Sequence, residues 1–152
     1  MKRQYWLMAL VILVSSAMSV SAKADVSGIW RGYGEWTYEG SSVPCQMAIQ
    51  YEETATVLKR VKGFFNCSLV ALHSDPIAWV KQGSDLLLDG KKAGTIVAQA
   101  FEATEEFNND GGTVTTKFSI DNNGRANYSE VWRDKKGAEI YLIRGSFKKS
   151  RD

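Results

Sequence analysis

Few side chains in this sequence could do chemistry. His73, Ser74 and Asp75 are the residue types of a hydrolytic triad, and His73 is the only histidine in the chain. Adjacent residues in a loop rarely point at one another, however, and the G-x-S-x-G turn that exposes a nucleophilic serine is absent. We therefore interpret this segment as a polar turn before Pro76, and we expect no catalytic residues and no enzymatic activity.

The two cysteines of the chain are Cys45 and Cys67. Two thiols and a single histidine do not supply the four ligands of a structural zinc site, so we expect no metal and no cofactor. In an exported protein, a pair of cysteines is typical of one disulfide bond. We predict that Cys45 and Cys67 form it.

The N-terminus has the three parts of a secretory signal peptide. Met1-Lys2-Arg3 is basic, residues 7–14 are an apolar run, and Ala22-Lys23-Ala24 is an A-x-A cleavage site. The apolar run is too short to span a bilayer comfortably. The sequence therefore predicts a signal peptide over residues 1–24, a β-barrel domain over residues 25–152, and a periplasmic or secreted location in a bacterium.

Charge excludes several classes of partner. Removing residues 1–24 would take away Lys2, Arg3 and Lys23, and would leave 16 basic and 17 acidic residues, a net charge of −1. A nearly neutral domain lacks the basic surface that binds nucleic acid. We expect no nucleic-acid partner, and no integral membrane contact after signal cleavage.

Alternating apolar and polar residues dominate residues 25–152, and no stretch predicts an amphipathic helix. Glycine, asparagine and aspartate interrupt the pattern every eight to twelve residues. A sheet of many strands in so short a chain most simply closes on itself, which removes its edges. The predicted fold is all-β, an antiparallel up-and-down β-barrel of eight or nine strands.

One hairpin register follows from the cysteines. If Cys45 lies opposite Cys67 in neighbouring strands, strict alternation brings Tyr51 opposite Val61. The apolar residues of both strands then share one face. The agreement between cysteines and apolar face supports both the register and the disulfide.

The C-terminal residues predict a meander of three strands. The loop Asn122-Asn123-Gly124, with glycine where a left-handed conformation is needed, places Phe118 opposite Tyr128. A second loop, Lys135-Lys136-Gly137, places Tyr128 opposite Arg144 in the last strand. Successive strands are thus expected to pair in sequence order.

Glu130 falls on a predicted inward face, between Tyr128 and Trp132. A buried carboxylate needs a hydrogen-bond or ion-pair partner. It could anchor the polar group of a ligand or pair internally with Arg144, and we favour the internal pair.

Several aromatic residues also fall on predicted inward faces. In a small barrel such side chains often fill the interior, but they can also line an apolar site with few polar groups. The sequence favours neither role. The candidate ligand-binding residues are Trp36, Tyr38, Tyr51, Phe65, Phe118, Tyr128, Glu130 and Trp132.

Gly28-Ile29-Trp30, with Arg144 near the C-terminus, resembles the calycin superfamily of lipocalins, avidins and fatty-acid-binding proteins. In that superfamily the tryptophan of a G-x-W motif packs against an Arg or Lys of the final strand. The resemblance implies a lipocalin-like barrel in which Gly28, Trp30 and Arg144 close one end. It also implies a non-catalytic binding function, with a small hydrophobic or amphipathic ligand in the barrel mouth.

A second resemblance implies a different function. The G-x-W motif, the two cysteines, Trp79 and the segment Leu86-Leu87-Leu88-Asp89-Gly90 are similar to features of bacterial periplasmic inhibitors of secreted metalloproteases, which are barrels of the same type. This resemblance implies inhibition of a secreted protease or another lytic enzyme through loops. Ligand binding is our leading expectation, and inhibition of a secreted hydrolase is the alternative.

Overall fold

A computed structural model of the chain describes residues 25–107 and 110–151, so the predicted signal peptide lies outside the described residues. The described residues form eleven strands, and none of them belongs to a helix that is long and apolar enough to cross a membrane. The strands are β1 Gly28–Tyr38, β2 Ser41–Glu53, β3 Val57–Cys67, β4 Ala71–Ser74, β5 Ile77–Gln82, β6 Asp85–Leu88, β7 Lys91–Val97, β8 Ala100–Phe107, β9 Gly112–Ile120, β10 Arg125–Arg133 and β11 Glu139–Lys149.

The strands form one antiparallel sheet in sequence order, and the pairing of β11 with β1 closes it into a ring. β4 and β5 pair with the same side of β3 in one common register, so they act as a single strand that is interrupted at Asp75 and Pro76. The prediction of an all-β, antiparallel, up-and-down barrel with one disulfide is confirmed.

The described residues form eleven strands rather than the predicted eight or nine. The sequence pattern predicts a single strand over residues 91–104, but a turn at Ala98 and Gln99 divides them into β7 and β8, with φ of 51° at Ala98. Neither residue carries a turn signal. His73 and Ser74 lie in the short strand β4 rather than in a polar turn.

Cys45 and Cys67 lie opposite each other in β2 and β3 and are joined by a disulfide, with their Cα atoms 4.0 Å apart. Farther along the hairpin the predicted register is wrong, because a β-bulge at Val61 places Tyr51 opposite Arg60. An extra residue in one strand reverses the faces of the residues beyond it. The Arg60 side chain is therefore buried in the barrel.

The meander of β9, β10 and β11 follows the predicted order, and Phe118 lies opposite Tyr128. Between β10 and β11, however, the register shifts by one residue next to Trp132. Tyr128 consequently lies opposite Gly145, and the side chain of Arg144 is exposed outside the barrel.

Trp30 closes one end of the barrel and is 2% exposed. Its indole N–H donates to the carbonyl of Val26 at 2.8 Å, and the backbone N–H of Val26 donates to the Glu53 carboxylate at 3.0 Å. The same carboxylate forms an ion pair with Lys81 at 2.6 Å. The residues ahead of β1 are thus held across this end, which we call the closed end.

The cation beside Trp30 is Lys149, and the predicted contact with Arg144 is wrong. Lys149 lies opposite Trp30 in the β1–β11 pair, and its Nζ lies 5.8 Å from the ring centroid. Arg144 instead forms an ion pair with Glu35 on the outer surface. Gly28, at φ of 119°, leaves the space that Lys149 occupies, because a Cβ there would lie 2.5 Å from Lys149 Cε.

Aromatic rings fill the half of the barrel next to the closed end. Trp30, Tyr51, Phe101 and Phe118 contact one another with ring centroids 5.2 to 5.7 Å apart. Trp79 packs beside Phe101 at 6.1 Å. Such pairs contribute about 0.5–1.5 kcal/mol each beyond the area that they bury.

We expect the double variant Cys45→Ala/Cys67→Ala to lose about 3 kcal/mol of unfolding free energy, because the bridge restricts the unfolded chain. The bonded residues are separated by 22 positions. Urea unfolding of the variant and the oxidised native protein measures the difference, and thiol labelling of the native protein should detect no free cysteine. An unchanged urea midpoint would contradict the prediction.

Candidate functional site

Glu130 lies inside the barrel and is 1% exposed. Three side chains donate hydrogen bonds to its carboxylate: the hydroxyl of Ser74 at 2.6 Å, the hydroxyl of Tyr128, and the indole N–H of Trp132 at 3.1 Å. Tyr128 and Trp132 reach it because residues two apart in a strand share a face. Glu130 faces inward, as alternation predicts.

Arg60 is the cation paired with Glu130, and the expected internal pair with Arg144 is wrong. The Nη2 atom of Arg60 lies 2.7 Å from Glu105 Oε1, and its Nη1 atom lies 3.9 Å from Glu130 Oε1. Its Nε donates to the carbonyl of Asp75 at 2.9 Å. Burial lowers the pKa of Arg60, but the negative charges around it raise the pKa by more. Among these charges that of Glu105 has the largest effect, and the pKa of Arg60 therefore lies above its ordinary value.

One donor of the Arg60 guanidinium has no acceptor. Nη1 is buried and makes no hydrogen bond, and its 3.9 Å separation from Glu130 is too long for one. The buried hydroxyls of Tyr51 and Thr116 likewise have no partner among the described residues. An unsatisfied buried polar atom costs about 1–3 kcal/mol. A hydrogen bond to a water molecule or to a ligand atom would remove this cost.

A gap in the barrel wall opens beside this cluster. Within the described part of the chain, β4 pairs only with β3, and residues 104–107 of β8 pair only with β9. The β6–β7 hairpin does not cover the gap, because β6 pairs with residues 80–82 alone of β5. Side chains from β4 and from the end of β8 line a cavity of about 310 Å³ there.

The cavity is acidic. Asp75, Glu105, Glu106 and Glu130 line it, and Arg60 is the only Lys or Arg among its lining residues. Burial raises the pKa of the Glu105 carboxyl; Arg60 opposes this rise, and Glu130 and Asp75 add to it. Among the described residues, no group of three or more His, Cys, Asp or Glu side chains is placed to hold a metal ion.

Five aromatic side chains form a continuous arc at the end of the barrel opposite Trp30, and we call them the aromatic arc. Successive ring centroids lie 5.7, 6.1, 5.0 and 4.8 Å apart. The two rings at one end of the arc also line the cavity, so the two features are continuous. In order, the arc consists of Tyr38, Trp36, Tyr141, Trp132 and Phe107.

The predicted ligand-binding residues separate into two groups. Trp36, Tyr38 and Trp132 belong to the aromatic arc, and Glu130 lines the cavity beside it. The other four are buried in the packed core, and their role in ligand binding stays a prediction. They are Tyr51, Phe65, Phe118 and Tyr128.

Three polar residues of the site, Arg60, Ser74 and Glu105, are not among the site residues predicted from the sequence. Glu105 continues the inward alternation of Phe101 and Ala103, but the predicted strand ends at residue 104, three residues before the end of β8. Arg60 is hidden by the bulge, and Ser74 lies in β4, which carries no clear strand signal. Extending the Phe101 alternation by two residues from Ala103 would have found Glu105.

Comparisons with known proteins support the fold. No protein-family model and no curated protein matches the chain. Among solved structures, the chain is similar to the crystal structure of a protein with unknown function from the DUF3598 family, from Nostoc punctiforme, with a TM-score of 0.55 and 13% identity. The match covers 82% of this chain and 48% of that one, so this chain spans about half the length of that protein.

Stability should fall in alkaline solution because burial raises the pKa of Tyr51 and Tyr128 above the ordinary value of 10.0, with the Glu130 charge adding to both. The folded protein then keeps protons that the unfolded chain releases, so this contribution is complete below about pH 10 and is lost as the pH rises further. Urea unfolding across this range should show the loss.

Each of the variants Tyr51→Phe and Tyr128→Phe should lose less unfolding free energy as the pH rises above 10. The slope against pH should decrease by up to about 1.4 kcal/mol per pH unit, the value for one proton. Phe118→Leu is the control, because it removes a buried ring without a hydroxyl and should shift the whole curve without changing its slope. Equal slopes in all the variants would contradict the assignment.

Proposed function

We propose that this protein is a non-catalytic binding protein that takes a small amphipathic ligand at the aromatic arc and the adjoining cavity. The observation that carries the proposal is the buried guanidinium of Arg60, a residue that lines the cavity and has a donor without an acceptor in the described part of the chain. Small-molecule sites combine aromatic walls with a few polar groups, in volumes of about 300–1,000 Å³. The cavity of about 310 Å³ lies at the lower end of that range.

Trp132 connects the apolar and polar parts of the proposed site. Its ring stacks on Tyr141 and contacts Phe107, while its indole N–H donates to Glu130. A ligand with its apolar part against these rings would bring its polar end to Glu130 and Arg60. This arrangement supports an amphipathic ligand over a purely apolar one.

We also propose that the barrel belongs to the calycin superfamily. Two features support this: the strands follow one another around a closed ring, and a cation of the final strand, Lys149, lies beside Trp30 of the G-x-W motif. Proteins of that superfamily commonly carry a ligand inside the barrel, which agrees with the proposed function.

Export is part of the same proposal. We infer that residues 1–24 are a signal peptide and that the mature protein acts in the periplasm or outside the cell. The Cys45–Cys67 disulfide supports this location, since such bonds persist mainly in oxidising compartments.

Inhibition of a secreted hydrolase remains the alternative. The connection between β1 and β2 gives it little support, because it is a two-residue turn at Glu39 and Gly40, both at positive φ, rather than a long protruding loop. If no small ligand binds, pull-down of secreted hydrolases would test inhibition, with variants in residues 39–43 and 107–112.

Binding of an amphiphile should change tryptophan fluorescence, because two tryptophans lie in the aromatic arc. Trp132→Phe should weaken the binding of decanol roughly tenfold, since it replaces the stacked indole by a smaller ring and removes the hydrogen bond to Glu130. Trp30→Phe is the matched control, because Trp30 lies at the closed end. It should lower stability and leave the dissociation constant unchanged.

Fluorescence and calorimetric titrations of both variants and the native protein measure these effects. The proposed function is wrong if the native protein gives neither a fluorescence change nor heat with fatty alcohols, amines and acids.

A further inference from the structure

We propose that the ligand of this site has a cationic head group with an oxygen acceptor close to the charge, as in an amino alcohol. This inference rests on the proposed binding function and specifies the chemistry of the ligand's polar end. Three features of the cavity support it: its charge, its aromatic rings and its unpartnered donor.

The charge of the cavity favours a cation. Four acidic residues, Asp75, Glu105, Glu106 and Glu130, are among the lining residues, against the single guanidinium of Arg60. Glu105 already lies 2.7 Å from that guanidinium, so the remaining carboxylates leave an excess of negative charge. A ligand carboxylate or phosphate would be repelled here, whereas an ammonium group would be attracted.

The aromatic rings favour the same sign of charge. Trp132 and Phe107 line the cavity with their ring centroids 4.8 Å apart, and Tyr141 stacks on Trp132 at 5.0 Å. The face of an aromatic ring carries negative potential, and tryptophan attracts cations most strongly. An ammonium or quaternary ammonium group between these rings and the carboxylates would contact favourable charge on both sides.

The Arg60 side chain adds the requirement for an acceptor. It is 2% exposed and lines the cavity, and its Nη1 has no hydrogen-bond partner among the residues that the structure describes. An ammonium group has no lone pair and cannot accept this bond. A hydroxyl or carbonyl oxygen next to the ammonium would satisfy it, which distinguishes an amino alcohol from a simple amine.

Four amphiphiles with the same decyl tail differ in the charge of the head group and in whether it carries a hydrogen-bond acceptor. They are decyl(2-hydroxyethyl)dimethylammonium, decyltrimethylammonium, decanol and decanoate. Titration calorimetry of the full mature chain, below the micelle concentrations, should rank their affinities in that order. The hydroxyl on the cation should add roughly tenfold, as expected for a hydrogen bond to a charged group. Decanoate binding as tightly as the cations would overturn the inference.

Two variants locate the effect. Glu106→Gln removes the exposed carboxylate of a residue that lines the cavity and should weaken both cations several-fold while strengthening decanoate. Glu102→Gln is the matched control, because Glu102 lies on the same strand but is exposed outside the cavity, where it pairs with Lys117. Arg60→Lys keeps the charge and removes the guanidinium donor, so it should abolish the advantage of the hydroxyl.

The outcomes distinguish this inference from the function on which it rests. If decanol binds as tightly as the two cations, or if Glu106→Gln acts no differently from Glu102→Gln, the cationic head group is wrong and the binding function stands. If none of the four amphiphiles binds, both are wrong.

Discussion

A buried guanidinium is the constraint on which the open half of this barrel depends. An arginine side chain in an apolar interior must be matched by acceptors and opposite charge. Arg60 obtains them from Asp75, Glu105 and Glu130, which lie on separate parts of the ring. Removing one partner of a buried ion pair typically costs about 3–5 kcal/mol. The cluster therefore joins β3, β8 and β10 beside the gap, where backbone pairing between strands is absent in the described part of the chain.

The two halves of the barrel differ in how completely they are closed. At the closed end, interlocking rings around Trp30 and Phe118 leave the interior filled, and the Trp30 indole donates to a backbone carbonyl. Buried polar atoms without a partner among the described residues occur in both halves, for example at Arg60 beside the arc and at Tyr51 and Trp79 in the packed half. The halves differ instead in the wall, which is incomplete only beside β4 and the end of β8 in the described part of the chain.

Alternation and turn residues were sufficient to predict the fold class, the disulfide and the order of the C-terminal strands, but they do not reveal bulges. A single extra residue at Val61 moved Arg60 into the barrel, and another in β11 moved Arg144 out of it. The first bulge had a signal in the sequence: Leu58 and Phe65 are both core residues, yet an odd number of positions separates them. Regular alternation cannot bury both. The site residues depended on this irregularity, which is why the fold was predictable and much of the site was not.

The pairing of the first strand with the last also has a kinetic consequence. Trp30 and Lys149 are opposite each other across the ring although nearly the whole domain separates them along the chain. Contacts of such high sequence separation slow folding, because the entropy of closing the loop is lost before the contact forms. Until β11 is in place, β1 and β10 each present an unpaired edge to other copies of the chain. The protein is therefore most exposed to aggregation between the formation of β1 and the formation of β11.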